Sequence, residues 1–200
     1  FRSRVIYPGV PVSDVPPSAI SDDGLLEVLS VARFDPHKNL ELAIDSLAAL
    51  RTRITPAVFA RVRLILAGHY DSELRESVSL VDGLVRRIAE LGLTGQVTLA
   101  FSPSEELRLA MLARARCVIY TPKAEHFGYV PVEAMASGRP VVAVNQGGPL
   151  ETVVDGKTGF LRDPDPEAFA DALVPLLTRV ETASTLGGAG YVRDRKSTRL

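Results

Sequence analysis

Residues 117–144 have the sequence CVIYTPKAEHFGYVPVEAMASGRPVVAV. This segment begins and ends with short apolar runs, at 117–120 and 140–144, which are typical of strands buried on both faces of a sheet. A polar loop and then a helical pattern separate the two runs, and Gly138 stands where a helix C-cap is expected. The segment therefore predicts a strand, a crossover helix and a second, parallel strand.

The same alternation extends along the chain. Further buried strands are predicted at 25–32, 62–67 and 97–101, with helices between them. Two helix starts are marked: a capping box with proline at the first helical position in SPSE at 102–105, and Asp165-Pro166. Repeated strand–helix units predict an α/β fold built on a doubly wound parallel sheet of the Rossmann-like kind.

The composition is that of a globular chain with one hydrophobic core. Of 200 residues, 46% are apolar and 24% charged. Lys and Arg number 23 against 24 Asp and Glu, and a formal net charge of -1 gives no reason to expect a nucleic acid partner. Any anion site must therefore be local. Cys117 is the single cysteine, which excludes an internal disulfide and a cysteine-based zinc site.

The chain is predicted to contain one domain with two flanking segments. Residues 1–20 are expected to form a proline-rich linker leading into a domain at 21–182. Apolar periodicity fades after about residue 180, so residues 183–200 are expected to be a frayed or foreign tail. Because the chain begins with Phe1 and not with methionine, we expect a piece of a longer protein. No apolar run is long enough to span a membrane.

Two cations follow the first predicted strand. Arg33 and Lys38 stand on either side of Pro36, just before a helix. Positive side chains and the N–H groups of a helix start can together bind a diphosphate. Two solvated basic side chains near a helix start would give the same pattern, so this motif alone does not distinguish the two.

Two carboxylates follow the fourth predicted strand. Glu125 lies in the loop and Glu133 in the first turns of the next helix, with Phe127-Gly128 between them. Carboxylates accept hydrogen bonds from vicinal hydroxyl groups, so this pair suits a ribose and a sugar. A solvated loop residue and a glutamate favoured near a helix N-terminus would explain each one alone. Their position in the same crevice as the two cations favours a binding site.

A third loop, after the fifth predicted strand, contains Gly147-Gly148. Glycines there allow backbone N–H groups to approach an anion, although a tight strand-to-helix turn explains them equally well. Residues 163–165 (DPD) match a DxD metal motif, but Asp165 is explained as a helix cap. The histidines have no metal-like spacing, so no metal is expected.

Together these loops resemble the nucleotide-binding C-terminal domain of the retaining GT-B glycosyltransferases of family 4. The resemblance covers residues 7–177 and rests on Arg33 and Lys38, the E-x7-E pair and the glycine loop. Residues 120–128 (YTPKAEHFG) and 143–151 (AVNQGGPLE) are most similar to the family's mannosyltransferases of the dolichol pathway. One departure is His69, where the family usually has a second glycine.

The resemblance implies roles for the matching residues. Arg33 and Lys38 would neutralise the donor diphosphate and the departing GDP, and Glu125, the third catalytic residue, would contact the transferred mannose. Glu133 would bind the ribose hydroxyls. The other implied contacts are a sugar pocket shaped by Phe127 and Gly128, and phosphate binding by the backbone N–H groups of Gly147, Gly148 and Leu150.

The implied activity is transfer of mannose from GDP-mannose to a dolichol-diphosphate-linked oligosaccharide in N-glycan precursor assembly, without metal or cofactor. It would take place at the cytosolic face of the endoplasmic reticulum membrane. The acceptor and the membrane would be met by parts outside this chain, so the chain alone is expected to bind nucleotide but not to transfer sugar. Two alternatives stay open: a family-4 transferase with another nucleotide sugar, and a noncatalytic nucleotide-binding domain.

Overall fold

A computed structural model describes residues 17–22, 24–123 and 125–197. The strands are β1 Leu26–Val31, β2 Val62–Gly68, β3 Val97–Phe101, β4 Cys117–Tyr120, β5 Val141–Val144 and β6 Gly159–Arg162. The helices are α1 Leu40–Leu50, α2 Pro56–Phe59, α3 Arg75–Glu90, α4 Glu105–Arg114, α5 Tyr129–Ala136, α6 Pro149–Thr152, α7 Pro166–Thr178 and α8 Val180–Ser197. A short 3-10 helix, Pro36–Lys38, lies between β1 and α1.

All strands of the sheet pair in parallel, in the order β3-β2-β1-β4-β5-β6. The predicted doubly wound, Rossmann-like sheet is therefore confirmed. The chain order reverses between β1 and β4, where Val28 lies beside Cys117 and Leu29 beside Val118. At such a reversal the loops that follow the two strands diverge, and a crevice opens at their carboxyl ends.

The core lies on both faces of the sheet, because successive residues of a strand point to opposite faces. Val28 and Cys117 pack in a cluster with residues of α1, α3 and α7, whereas Leu29 and Val118 pack in a cluster with residues of α4 and α5. All four are at most 2% exposed. Burial on both faces explains why the central strands are continuous apolar runs in the sequence.

The sequence patterns do not predict β6. This strand is at the edge of the sheet, and three of its four residues are only partly buried, so it needs no long apolar run. Gly159 is required for a different reason: a β-carbon there would lie 2.1 Å from the carbonyl oxygen of Val141 on β5. Glycine in a sequence usually indicates a turn, so Gly159 does not predict a strand although the close pairing with β5 requires it.

Asp165 caps α7 as predicted. Its Oδ2 accepts a hydrogen bond from the N–H of Ala168 at 2.8 Å, and Pro166 is the first helical residue. Asp165, the second aspartate of the DPD segment, therefore serves as the helix cap.

The predicted start of α4 is wrong by two residues. The cap is Ser104, whose Oγ accepts from the N–H of Leu107 at 3.2 Å, so Pro103 precedes the helix and does not open it. Ser102 has a φ of 43°, and its Oγ accepts a hydrogen bond from the N–H of Tyr70 at 3.1 Å. This contact with the loop after β2 keeps Ser102 outside the helix.

The folded domain extends beyond residue 182, which corrects the expected frayed tail for residues 183–197. These residues continue α8, which packs on α5. Ala183 is fully buried, Leu186 is 7% exposed, and a β-carbon on Gly187 would lie 2.1 Å from the carbonyl oxygen of Gly138. Small residues make much of this contact, so no apolar stripe marks the helix in the sequence.

The expected linker falls mostly outside the described residues, as do residues 198–200. Of residues 1–20, the structure describes 17–20. Here Ser18 Oγ donates to the carbonyl oxygen of Ala113 at 2.8 Å, and Arg139 Nη2 donates to the Ser18 carbonyl oxygen at 2.7 Å. Ser18 therefore ties this segment to the domain.

Candidate functional site

A crevice opens at the carboxyl ends of the central strands, beside the reversal in strand order. It contains a cavity of about 400 Å³, a volume within the range of small-molecule sites. The lining comes from the carboxyl ends of β1, β2 and β4, the loops after β1 to β4, and the first turns of α4 and α5: Val31, Ala32, Arg33, Lys38, Gly68, His69, Ser102, Pro103, Arg108, Tyr120, Pro122, Glu125, Tyr129 and Val130.

The structure brings part of the predicted site together. Arg33, Lys38 and Glu125 all line the cavity. The other predicted residues do not line it: Phe127, Gly128, Glu133, Gly147, Gly148 and Leu150. Ser102 and Arg108 are among the lining residues that the motifs do not predict. Because both follow β3, the rule that carboxyl-end loops form the crevice could have pointed to them.

A tight turn after β1 places the two cations. Asp35 caps the 3-10 helix, since its Oδ1 accepts from the N–H of His37 at 2.8 Å, and this hydrogen bond holds the pKa of the Asp35 carboxyl below its ordinary value. Asn39 then adopts a left-handed φ of 51° before α1. The Arg33 side chain is 66% exposed, with its guanidinium 3.9 Å from the Asp35 carboxylate. Arg33 is therefore accessible to a ligand that enters from solvent.

Lys38 and Glu125 form an ion pair inside the crevice. Lys38 Nζ lies 2.5 Å from Glu125 Oε2, and the two side chains are 16% and 35% exposed. Thr121 Oγ1 donates to the carbonyl oxygen of Lys38 at 2.7 Å, which holds the turn against the end of β4. Burial, together with the neighbouring Glu125 carboxylate, raises the pKa of the Tyr120 phenol above its ordinary value, so Tyr120 stays protonated as a donor to Glu125. A cation and a carboxylate predicted for one crevice are thus in direct contact.

Glu133 lies on α5 and pairs with an arginine from another helix. Arg108 Nη1 donates to Glu133 Oε2 at 2.7 Å, and Arg108 also contacts both carboxylate oxygens of Glu105. Hydrogen bonds to Glu105 and the charge of Glu133 raise the pKa of the Arg108 guanidinium above its ordinary value. Arg108 lines the cavity, so Glu133 is connected to the crevice through this side chain.

The glycine loop supports the loop after β4. A β-carbon on Gly147 would lie 2.6 Å from the carbonyl oxygen of Glu125, and one on Gly148 would lie 2.2 Å from that of Phe127. The N–H of Gly148 donates to the Glu125 carbonyl oxygen at 2.8 Å, and the N–H of Leu150 donates to that of Gly147 at 3.1 Å. The N–H groups of Gly148 and Leu150 therefore both donate to backbone carbonyl oxygens of the protein.

The departure at His69 does not disturb the loop after β2. His69 is not among the residues with a positive φ, so its backbone accepts a β-carbon where the family usually has glycine. Its carbonyl oxygen accepts from the N–H of Phe34 at 2.9 Å, and its Nδ1 lies 3.5 Å from Ser102 Oγ. The histidine thus joins the loops after β1, β2 and β3.

Over residues 17–22, 24–123 and 125–197, no group of three or more His, Cys, Asp or Glu side chains is placed to hold a metal ion. None of the helices over these residues combines the length and the apolar character that crossing a membrane requires.

A doubly wound sheet with a charged crevice at its switch point is typical of domains that bind nucleotides. Residues 16–193 match the family model described as glycosyl transferases group 1. The chain belongs to this family, which confirms the resemblance found in the loops.

Within the family the chain is similar to α-1,3/1,6-mannosyltransferases. It is 40% identical to ALG2 of Homo sapiens over 169 residues, which are 84% of this chain and 41% of the human protein. It is 37% identical to ALG2 of Dictyostelium discoideum over 175 residues, which are 84% of this chain and 42% of that protein. The chain therefore spans about two-fifths of the length of these relatives.

Solved structures share the fold over most of the chain. Anabaena Alr3699/HepE in complex with UDP superposes with a TM-score of 0.74 at 26% identity, covering 88% of this chain and 46% of that chain. Sucrose-phosphate synthase from Thermosynechococcus elongatus superposes with a TM-score of 0.75 at 31% identity, covering 90% and 42%. The domain thus corresponds to about half of a GT-B glycosyltransferase, as predicted.

Proposed function

We propose that this chain is the donor-binding domain of a retaining mannosyltransferase that uses GDP-mannose. The observation that carries the proposal is the crevice in which Arg33, Lys38 and Glu125 meet, in a chain 40% identical to a human α-1,3/1,6-mannosyltransferase. The structural neighbour solved with UDP and glucose supports a nucleotide sugar as the ligand of this crevice.

The two cations bind the diphosphate. During transfer an acceptor hydroxyl oxygen forms a bond to C1 of mannose, the bond between C1 and the β-phosphate oxygen breaks with its electron pair on the departing GDP, and the hydroxyl proton passes to the departing phosphate. Arg33 and Lys38 stabilise this growing negative charge more in the transition state than in the ground state, which lowers the barrier. The Lys38 ammonium has three N–H donors, so its contact with Glu125 leaves others for phosphate oxygens. Cationic side chains thus do the work for which other transferases use a metal ion.

The two carboxylates bind hydroxyl groups. Glu125, held by Lys38 and Tyr120, contacts the mannose, and Phe127 and Gly128 shape the sugar side of the loop. Glu133 accepts hydrogen bonds from the ribose hydroxyls. Phosphate contacts from the amides of Gly147, Gly148 and Leu150 would require a shift of this loop, because the Gly148 N–H now donates to Glu125 and the Leu150 N–H to Gly147.

The acceptor, a dolichol-diphosphate-linked oligosaccharide, is assigned to other parts of the protein. The chain spans about two-fifths of its mannosyltransferase relatives, and a GT-B enzyme carries out the reaction between two facing domains. The same parts would associate with the endoplasmic reticulum membrane, at its cytosolic face. We therefore expect nucleotide binding by the 200-residue chain, and no transfer of mannose until the remainder is present.

Thermal unfolding of the chain with GDP, GDP-mannose, UDP and UDP-glucose tests the proposal. A ligand at about 100 times its dissociation constant stabilises a protein by about 2.7 kcal/mol. We expect GDP and GDP-mannose to raise Tm at concentrations at which the uridine compounds have little effect. The Arg33→Ala and Lys38→Ala variants should each lose the GDP-dependent shift, because each removes a positive charge that faces the diphosphate.

Arg86→Ala is the matched control, since Arg86 is an exposed residue of α3 outside the cavity lining, and this variant should keep the shift. A larger shift with UDP or UDP-glucose would assign the chain to a family-4 transferase with a uridine donor, the candidate that the UDP-bound neighbours favour. Unchanged GDP binding in Arg33→Ala and Lys38→Ala would favour a noncatalytic nucleotide-binding domain.

A further inference from the structure

Arg108 lines the cavity and contacts Glu133, whose side chain is not part of the lining. It is on the first turn of α4, lines the cavity, and donates from Nη1 to Glu133 Oε2 at 2.7 Å. The side chains of Arg108 and Glu133 are 19% and 22% exposed, so the pair is largely shielded from solvent. A charge-assisted hydrogen bond in such a setting is stronger than one on an open surface.

Glu105 fixes the orientation of the Arg108 guanidinium. Its two carboxylate oxygens accept from Nη2 and Nε of Arg108 at 2.7 Å and 2.9 Å. A two-point contact of this kind holds the planar group in one orientation, so the remaining nitrogen, Nη1, is aimed at Glu133. Arg108 thus joins the start of α4, which follows β3, to α5, which follows β4.

We propose that Arg108 is a positioning residue that holds the Glu133 carboxylate in place for the ribose hydroxyls of the nucleotide. This inference rests on the proposed function, in which Glu133 binds the ribose. A carboxylate has about four lone-pair sites, so the hydrogen bond to Arg108 leaves capacity for two adjacent hydroxyl groups. Without Arg108 the Glu133 side chain would be free to leave this rotamer, and the contact with the hydroxyl pair would weaken.

Comparison of GDP with 2′,3′-dideoxy-GDP isolates this contact. Dissociation constants are measured by titration calorimetry for the unchanged chain, Arg108→Gln, Glu133→Gln and the double variant. We expect the unchanged chain to prefer GDP by about 10-fold, the size expected for a hydrogen bond to a charged group. Each single variant should reduce this preference to about 2-fold or less. The double variant should lose no more, because the two residues act as one unit.

Two further variants serve as controls. Arg114→Gln changes an arginine of the same helix whose guanidinium pairs with Glu27, away from the cavity, and it should keep the full preference for GDP. Arg108→Lys retains a cationic donor and should restore part of the preference. Thermal unfolding of each variant establishes that it is folded.

The outcomes separate this inference from the proposed function. If Arg108→Gln keeps the preference for GDP, the positioning role is wrong. If it weakens GDP and dideoxy-GDP equally, Arg108 contacts the base or phosphate directly, and the positioning role is also wrong. If the unchanged chain binds no nucleotide, the proposed function fails, and the inference fails with it.

Discussion

At the scale of single residues, the crevice depends on a close backbone contact at the end of β2. A β-carbon on Gly68 would lie 1.8 Å from the carbonyl oxygen of Ala32. Ala32 immediately precedes Arg33, so this contact determines where the turn that carries both cations leaves the sheet. A residue without a side chain is required for such an approach.

Gly68→Ala should therefore affect both stability and binding. The added methyl group forces the loop after β1 away from β2, and we expect a loss of about 1–3 kcal/mol in the free energy of unfolding. Weaker GDP binding should accompany it because Arg33 moves. Urea denaturation and calorimetry measure the two effects. Gly83→Ala on α3 is the control: a β-carbon there meets nothing within 4 Å, and alanine should stabilise the helix by up to about 1 kcal/mol. Equal stability of Gly68→Ala and the unchanged chain would contradict the expectation.

At the scale of elements, α8 closes the domain by lying directly on the end of α5. Gly138 follows the C-cap of α5 with a left-handed φ of 67°, and its carbonyl oxygen faces Gly187 of α8. Gly190 lies against the Met135 side chain, since a β-carbon on Gly190 would lie 2.8 Å from its Cγ. Close approach at these two glycines positions α8 without the apolar stripe that a more distant helix would need.

Gly187→Ala and Gly188→Ala form a matched pair on α8. Both replace a helical glycine, which favours the helix by about 1 kcal/mol. A β-carbon on Gly187 would overlap Gly138, whereas one on Gly188 meets nothing within 4 Å. We expect Gly187→Ala to lower the free energy of unfolding and to accelerate amide exchange in residues 180–193, and Gly188→Ala to raise stability. Stabilisation by both variants would show that α8 does not pack on α5 as described.

At the scale of the whole molecule, one cysteine reports on the integrity of the sheet. Cys117 is the single cysteine, it lies on the central strand β4, and it is fully buried. Burial raises the pKa of its thiol to about 12, so the reactive thiolate is scarce at neutral pH. The thiol becomes accessible, and its pKa returns to the ordinary value, only when the sheet opens.

The Cys117 thiol should therefore react with Ellman's reagent at least about 100-fold more slowly in the folded chain than in denaturant. A saturating ligand of the crevice should slow the reaction further, because binding stabilises the folded state as a whole. Absorbance during labelling measures both rates. Labelling of the folded chain at the rate of the denatured chain would contradict the described position of β4.

Some of the fold and of the site can be predicted because their signals are local. The central strands are continuous apolar runs, since they are buried on both faces, and Asp165 caps the helix that follows it. The alternation of strands and helices then places Arg33, Lys38 and Glu125 at one end of the sheet without any further information.

Other features depend on contacts between residues far apart in the chain. The edge strand β6 and helix α8 lack apolar periodicity because partial burial and glycine contacts replace it. The capping box at 102–105 is misplaced because Ser102 bonds the loop after β2.

The central strands of the sheet, the order of the loops after them and the placement of Arg33, Lys38 and Glu125 in the crevice follow from the sequence alone, because hydrophobic periodicity and turn chemistry act over short stretches of chain. How those side chains are paired follows only from the tertiary structure. Lys38 pairs with Glu125, which is 87 residues away in the chain, and Arg108 pairs with Glu133, which is 25 residues away. The N–H of Gly148 donates to the carbonyl oxygen of Glu125. Such pairings result from the packing of separate strand–helix units against one another, and no local pattern encodes which polar atoms that packing brings within hydrogen-bond distance.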